Sequence, residues 1–123
     1  KFKVESMQNY KDLQVWKKSH ELTLEIYKVT KSFPKEEIFA LVSQLRRASA
    51  SIPTNIAEGS GRFTKKDFAS FLQISLGSAQ EVEYLILLSK ELNFINETDF
   101  NQLEKSIGEI KAMLISLIKK VRL

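Results

Sequence analysis

Few residues of this sequence could carry out chemistry. His20 is the single histidine and there is no cysteine, which excludes disulfides, thiolate metal sites and cysteine nucleophiles. A di-metal carboxylate bundle needs Glu-x-x-His motifs on two helices, which one histidine cannot supply. Glu81 and Glu83 point to different faces of a helix, so they do not form a catalytic pair. We therefore expect no enzymatic activity, no cofactor or metal, and no small-molecule substrate.

Binding chemistry has two weak indications in the sequence. Gly59-Ser60-Gly61-Arg62 is glycine-rich, but it follows no strand and lacks the Lys-Ser/Thr of a P-loop, so it is a poor phosphate site. The formal net charge is +4, and residues 1–35 carry eight basic and four acidic side chains. A basic excess favours an anionic partner such as RNA or DNA, although a solvated lysine-rich helix face is the alternative. The candidate contacts to nucleic acid or to another subunit are Lys17, Lys28, Lys35, Arg46, Arg47 and Arg62.

These residues must be positioned by helices, because apolar residues recur at three- and four-residue spacings along the whole chain. We predict an all-α, antiparallel, up-down-up-down four-helix bundle. Helix 1 spans about 12–32. Helix 2 begins near Glu36, is kinked at Pro53 and stops at Gly59-Ser60-Gly61. Helix 3 starts at a capping box, Thr64 to Asp67, and helix 4 covers about 99–121. Residues 1–11 are predicted to be a flexible N-terminal segment and residues 12–121 a single domain.

The sequence contains more apolar residues than the predicted core-facing stripes of the helices account for. Helix 2 is expected to bury Ile38 with Leu41, Val42 and Leu45, and helix 4 carries a heptad seam that runs from Phe100 to Leu117 and Val121. The remaining apolar residues, which include Leu24, Tyr27, Tyr84, Ile115 and Ile118, exceed what one small core can hold. We therefore expect a homo-oligomer, in which Gly77 permits a close approach of backbones. No apolar run is long enough for a membrane span.

The segment from Ser43 to Arg62 is the most informative part of the sequence. Pro53 frees the carbonyl of Ser49, which serine or asparagine side chains could satisfy. One interpretation is a structural kink held by local hydrogen bonds. The other is that Arg46, Arg47 and Arg62 form a subunit contact or bind phosphate. We also predict that the Arg46/Arg47 pair and Glu58 share a polar network between helices or between subunits.

At these residues the chain resembles the 23S rRNA intervening-sequence proteins, a four-helix-bundle family. The resemblance is carried by residues 10–16, 33–37, 61–62 and 77–81, and above all by Ser43-Gln44-Leu45-Arg46-Arg47-Ala48 with Ser51-Ile52-Pro53-Thr54-Asn55-Ile56-Ala57-Glu58-Gly59. It implies a bacterial cytoplasmic protein, in some members encoded within an insertion in the large ribosomal RNA gene. It also implies a left-handed bundle that assembles as a homopentameric ring.

For most of the family no biochemical activity is established. A related protein, the accessory factor of diversity-generating retroelements, is a more basic pentamer that binds nucleic acid and a reverse transcriptase. The resemblance implies structural or subunit-contact roles for Arg46, Arg47, Pro53, Asn55, Glu58, Gly59 and Arg62. Two functions therefore stay open: a nucleic-acid-associated oligomer, or an assembly scaffold that recruits a protein.

Overall fold

The structure, a computed structural model, describes residues 9–123. Four α-helices make up most of this region: α1 (Gln14–Thr30), α2 (Ser43–Ser60), α3 (Lys65–Glu91) and α4 (Glu97–Arg122). Between residues 9 and 123 there is no β-strand, so the predicted all-α class is confirmed. Most of the predicted flexible segment lies outside the described residues. Its last part forms a 3-10 turn, Tyr10–Asp12, because the Asn9 side chain accepts a hydrogen bond from the Lys11 amide.

Helices α3 and α4 begin, and α3 ends, where side chains or a special backbone conformation satisfy free backbone groups. The Thr64 hydroxyl accepts a hydrogen bond from the Asp67 amide at 3.0 Å, as the capping-box spacing predicts. Asn96 caps α4 in the same way, through the Asp99 amide at 2.8 Å. Helix α3 ends just before Asn93, which has a φ of 64° and thereby reverses the chain toward α4.

The four helices pack in a ring, with α1 and α3 each against α2 and α4. Contacts between neighbours run in opposite directions: Thr30 of α1 meets Arg46 of α2, and Thr23 meets Ser49. The same reversal holds for α2 with α3, α3 with α4 and α4 with α1. The enclosed core contains the largest buried side chains, among them Ile26, Leu45, Ile52, Ile56, Phe68, Leu72, Ile86, Ile107, Ile110 and Leu114. Within residues 9–123 no helix combines the length and the apolar composition that a membrane crossing requires.

The connection from α1 to α2 differs from the predicted helix 2. A 3-10 turn, Lys35–Glu37, leads into a π-helical turn, Ile38–Val42, before regular α-helix starts at Ser43. The wider turn changes the angular register, so Leu41 and Val42 face the core while Ile38 is 49 % exposed. The expectation that Ile38 belongs to the core is therefore wrong.

The end of α4 also departs from the heptad seam. Ile118 is buried, whereas Leu117 and Val121 are only half-buried. An α-helix of 3.6 residues per turn drifts by about 20° per heptad relative to a strict 3.5-residue repeat. By the third repeat the inward stripe has rotated onto Ile118, so this residue is not part of the predicted surplus.

Helix α2 continues through Pro53, which is buried inside it. The predicted continuity is confirmed, and the bend itself stays a prediction. The partner of the freed Ser49 carbonyl is neither a serine nor an asparagine: Thr23 of α1 places its hydroxyl oxygen 3.0 Å from it. Asn55 instead donates to the carbonyl of Ser51, one turn earlier on α2, at 2.8 Å.

Two glycines differ in how closely the rest of the bundle approaches them. Gly59 lies in the last turn of α2, and a Cβ there would come within 2.7 Å of the Phe71 Cβ and 3.0 Å of the Phe68 ring. It therefore sets the close approach of α2 to α3. A Cβ on Gly77 would meet nothing within 4 Å among the described residues, so the close backbone approach expected at Gly77 stays a prediction for a contact between subunits.

Candidate nucleic-acid interface

The structure scatters the predicted contact residues over the bundle. Lys17 and Arg62 lie at the end where α1 begins and α2 turns into α3, whereas Lys28 and Lys35 lie at the opposite end. Along α1 alone, the 11 residues from Lys17 to Lys28 correspond to about 16 Å. These four residues do not form one patch.

Arg46 is occupied within the chain. Its Nε donates to the Thr30 hydroxyl at 3.0 Å, its Nη2 donates to the Tyr27 carbonyl at 3.3 Å, and its guanidinium lies 4.6 Å from the centre of the Tyr27 ring. These contacts tie α2 to α1 with both hydrogen bonds and a cation–π interaction. Arg47 is exposed and makes no such contact in the described part of the chain. Of the two arginines, only Arg47 is available to a partner.

The predicted network of Arg46, Arg47 and Glu58 is not present within the chain. The exposed Glu58 carboxylate lies 4.0 Å from Arg62, one turn further along the chain, and Arg46 contacts α1 instead. The physical reason is that Arg47 and Glu58 sit about three turns apart on the same helix, too far to touch. A contact between Glu58 and an arginine of another subunit stays a prediction.

The remaining candidates for chemistry have local roles. The amides of Gly61 and Arg62 donate to the carbonyls of Glu58 and Gly59, so they do not form an open phosphate cradle. Glu81 accepts a hydrogen bond from Gln44 of α2. Glu83 pairs with Lys111 of α4 at 3.0 Å, so the two carboxylates point to different neighbours as predicted.

Potential metal ligands are dispersed over the part of the chain that the structure describes. Among residues 9–123, no group of three or more potential metal ligands comes together. The groove between α1 and α4 contains Lys18, Lys105 and Glu109, with further carboxylates. There the Lys18 ammonium lies 2.7 Å from Glu109, and its hydrogen bond holds the pKa of Glu109 below the ordinary value. The charges of this groove largely neutralise one another.

Positive charge instead collects at one end of the bundle, formed by residues 9–17, 58–67 and 119–123. We call these residues the basic end. The three segments meet there because Gln14 lines one groove with Lys120, and Lys65 lines another with Arg122. The basic end carries eight basic and three acidic side chains, whereas the rest of the described chain carries nine and eleven. All of the net positive charge of residues 9–123 therefore lies at this end.

A groove of about 470 Å³ lies at the basic end, between the start of α3 and the end of α4. Lys65, Lys66 and Arg122 line it together with small or apolar residues of α3 and α4. In the described region, none of these three cations forms an ion pair or a hydrogen bond through its side chain. Their charges are thus not compensated within the bundle.

The position of Lys65 and Lys66 is itself unfavourable for the helix. Both lie in the first turn of α3, where the helix dipole is positive and a cation costs about 0.3–1 kcal/mol. The single carboxylate in that turn, Asp67, offsets only part of this unfavourable interaction. Lys119, Lys120 and Arg122, in contrast, lie in the last turn of α4, where cations are favourable. Local rules are commonly broken at functional sites.

The sequence alone did not indicate this site. Along the sequence, the basic excess lies in residues 1–35, which carry eight basic and four acidic side chains. The basic end combines three segments that are distant in sequence, and six of its cations are absent from the predicted contacts: Lys11, Lys65, Lys66, Lys119, Lys120 and Arg122. The pair Lys65-Lys66 directly after the helix cap Thr64 was the signal that could have drawn attention to it.

Large apolar side chains remain exposed on three helices. Leu24 and Tyr27 are exposed on α1, Tyr84 and Ile74 on α3, and Ile115 on α4, by between 41 and 59 %. Gly77 lies on the same outward side of α3 as Ile74 and Tyr84. The apolar surplus expected from the sequence is therefore present, apart from Ile118.

Comparisons with known proteins agree with this architecture. The family described as 23S rRNA-intervening sequence protein matches residues 11–116. A crystal structure of a protein of unknown function from the S23 ribosomal protein family, from Bacteroides thetaiotaomicron VPI-5482, is 31% identical to the chain. The match covers 85% of this chain and 95% of the other, with a TM-score of 0.79. No curated protein matches at a significant level. The chain belongs to the 23S rRNA-intervening sequence protein family.

Proposed function

We propose that this protein is a non-enzymatic, homo-oligomeric binding module that holds nucleic acid through the phosphate backbone at its basic end. The observation that carries the proposal is the separation of charge: the basic end has an excess of five positive charges, and the rest of the described bundle is slightly acidic. Such a surface attracts a polyanion and orients it toward one end of the molecule.

Binding of this kind is sequence-independent. Lys65, Lys66 and Arg122 neutralise phosphates and release condensed counterions, so affinity falls steeply as salt rises. Contacts from lysine and arginine to phosphates position the nucleic acid rather than specify its sequence. The family description, which refers to 23S rRNA, makes structured RNA the appropriate first probe.

Assembly strengthens the effect. The exposed apolar residues of α1, α3 and α4 provide surface for contacts between copies, and the family resemblance suggests five of them. In a ring built around one axis, the basic ends of all subunits occupy symmetry-equivalent positions. The charge of several copies then acts on one RNA molecule, and the individually weak contacts add up.

The experiment compares two variants with the same change in charge. Lys65→Gln/Lys66→Gln/Arg122→Gln removes three cations from the basic end, and Lys28→Gln/Lys31→Gln/Lys35→Gln removes three from the opposite end. Affinity for structured RNA is measured at low and at moderate salt, with an acidic protein as a control ligand. We expect the first variant to lose most of the binding and the second to retain it. An equal loss of RNA affinity in both variants would contradict binding at the basic end.

A second function is favoured by one observation. At the end opposite the basic end, Phe39 is 96 % exposed on the π-helical turn, beside the half-exposed Ile38. An exposed aromatic side chain is a common anchor of protein interfaces, as an assembly scaffold would need. Tighter binding of the acidic protein than of RNA would favour the scaffold. So would a protein partner whose binding is lost with Phe39→Ala but kept in both triple charge variants.

A further inference from the structure

Three aromatic rings form a stack where α1 begins. The Trp16 and His20 rings are nearly parallel, 7° apart with centroids at 4.9 Å. The Tyr10 ring meets Trp16 edge-on at the same centroid distance. Trp16 and His20 stand four residues apart, so one face of a rigid helix holds them in this geometry. The stack is therefore fixed by the backbone rather than by a flexible loop.

The outermost ring of this stack is accessible. His20 is exposed, and only one face of its ring is turned toward Trp16. In the part of the chain that the structure describes, no other aromatic ring and no cation lies over His20. Leu24 follows four residues later and is 58 % exposed, so accessible apolar surface continues beyond His20 on the same side of α1.

Basic side chains flank the stack. Tyr10 and Trp16 belong to the basic end itself, and the Lys11 ammonium lies 5.8 Å from the centre of the Tyr10 ring. Lys17 is three residues from His20 and thus its neighbour on the helix surface. Aromatic faces beside a track of cations are what proteins use to hold unpaired nucleotides, since every base offers a π-face for stacking.

We infer that the His20–Trp16 stack receives an unpaired nucleobase on the open face of His20, while lysines of the basic end hold the adjoining phosphates. This inference rests on the proposed function and names its ligand class: single-stranded or looped RNA or DNA rather than a continuous duplex. In a duplex the bases stack on each other, and their faces are not available to His20.

The chain offers a direct readout of this site. Trp16 is its single tryptophan and His20 its single histidine, so selectively excited tryptophan fluorescence and the imidazole proton resonances each report on the stack alone. The probes are a short single-stranded oligonucleotide, the same sequence as a duplex, an abasic oligonucleotide and inorganic polyphosphate. Binding is measured separately, by calorimetry. We expect all four probes to bind, and only the first to change the Trp16 emission and shift the His20 resonances.

Two variants separate stacking from charge. His20→Ala should weaken single-strand binding by about tenfold and leave polyphosphate affinity and the melting temperature unchanged. Phe39→Ala, which removes an exposed aromatic ring at the other end, should change neither affinity.

The outcomes distinguish the inference from the proposed function. If all probes bind but the Trp16 emission stays constant and His20→Ala binds single strands like the parent, the stack is structural and the inference fails while the proposed function stands. An equal response to the duplex also overturns the inference. If no probe binds, both the inference and the proposed function fail.

Discussion

The Thr23 hydroxyl lies 3.0 Å from the carbonyl oxygen of Ser49, the oxygen that Pro53 deprives of its helical partner. Proline has no N–H to donate four residues back, so a donor must come from elsewhere. The hydroxyl also lies 3.0 Å from the Ser19 carbonyl of its own helix, so its single hydrogen is shared between α1 and α2. The proline in α2 is thereby coupled to a specific residue of α1.

Thr23→Val should therefore destabilise the fold by about 1–3 kcal/mol, because the Ser49 carbonyl is left unsatisfied in a largely buried position. Pro53→Ala returns an N–H to α2, so Thr23→Val should cost less in that background. Chemical denaturation of the four proteins of this double-mutant cycle measures the coupling. Strictly additive effects would show that Thr23 does not compensate for the proline.

Two glycine substitutions should act in opposite directions. Gly59→Ala brings a Cβ to 2.7 Å from Phe71, and such overpacking typically costs about 1–3 kcal/mol. Gly77→Ala meets no neighbour among the described residues and should raise the free energy of unfolding of a subunit by about 0.5–1 kcal/mol through helix propensity. Thermal melts at matched concentration test both. Destabilisation by Gly77→Ala together with loss of assembly would place Gly77 at a subunit contact.

The adjacent arginines should behave differently. Arg46→Met removes both hydrogen bonds and the ring contact to α1 and should destabilise by about 1–2 kcal/mol. Arg47→Met, an exposed position, should stay within about 0.5 kcal/mol of the parent. Urea denaturation measures the free energy of unfolding of each variant and of the parent. A larger loss for Arg47→Met would mean that this residue has a partner in another subunit.

Light scattering should give a mass that is a multiple of the 14.1 kDa subunit, with five copies suggested by the family resemblance. Tyr84→Arg, on the outward side of α3, should lower this mass because it places a charge on exposed apolar surface. Thr98→Arg, an exposed position near the start of α4, is the matched control. A mass near 14 kDa for the parent at micromolar concentration would rule out the oligomer.

Periodicity in the sequence was sufficient to predict the helices and most of the core, since Phe100, Leu103, Ile107, Ile110 and Leu114 are all buried as expected. It failed at Ile118, because a strict heptad does not follow the true helical period. The periodicity was also wrong at Ile38, because it does not predict a π-helical turn.

The candidate site was harder to predict than the fold. A four-helix bundle brings α3 and α4 together at residues more than 50 positions apart, so Lys65 and Arg122 become neighbours only in the folded chain. Two adjacent arginines look alike in the sequence. Only the structure shows that the Arg46 side chain is hydrogen-bonded to α1 whereas that of Arg47 is not. Geometry between segments, rather than composition within one, distinguishes a free cation from an occupied one.

The salt dependence of RNA binding tests the central claim most directly. For the parent, the logarithm of the association constant should fall linearly with the logarithm of the salt concentration. Each lost phosphate contact reduces that slope by about 0.7–0.9, so Lys65→Gln/Lys66→Gln should make it shallower by at least about 1.4. The matched variant Lys28→Gln/Lys35→Gln should leave the slope unchanged. The same slope for the parent and the Lys65→Gln/Lys66→Gln variant, or an equal reduction in both variants, would contradict nucleic-acid binding at the basic end.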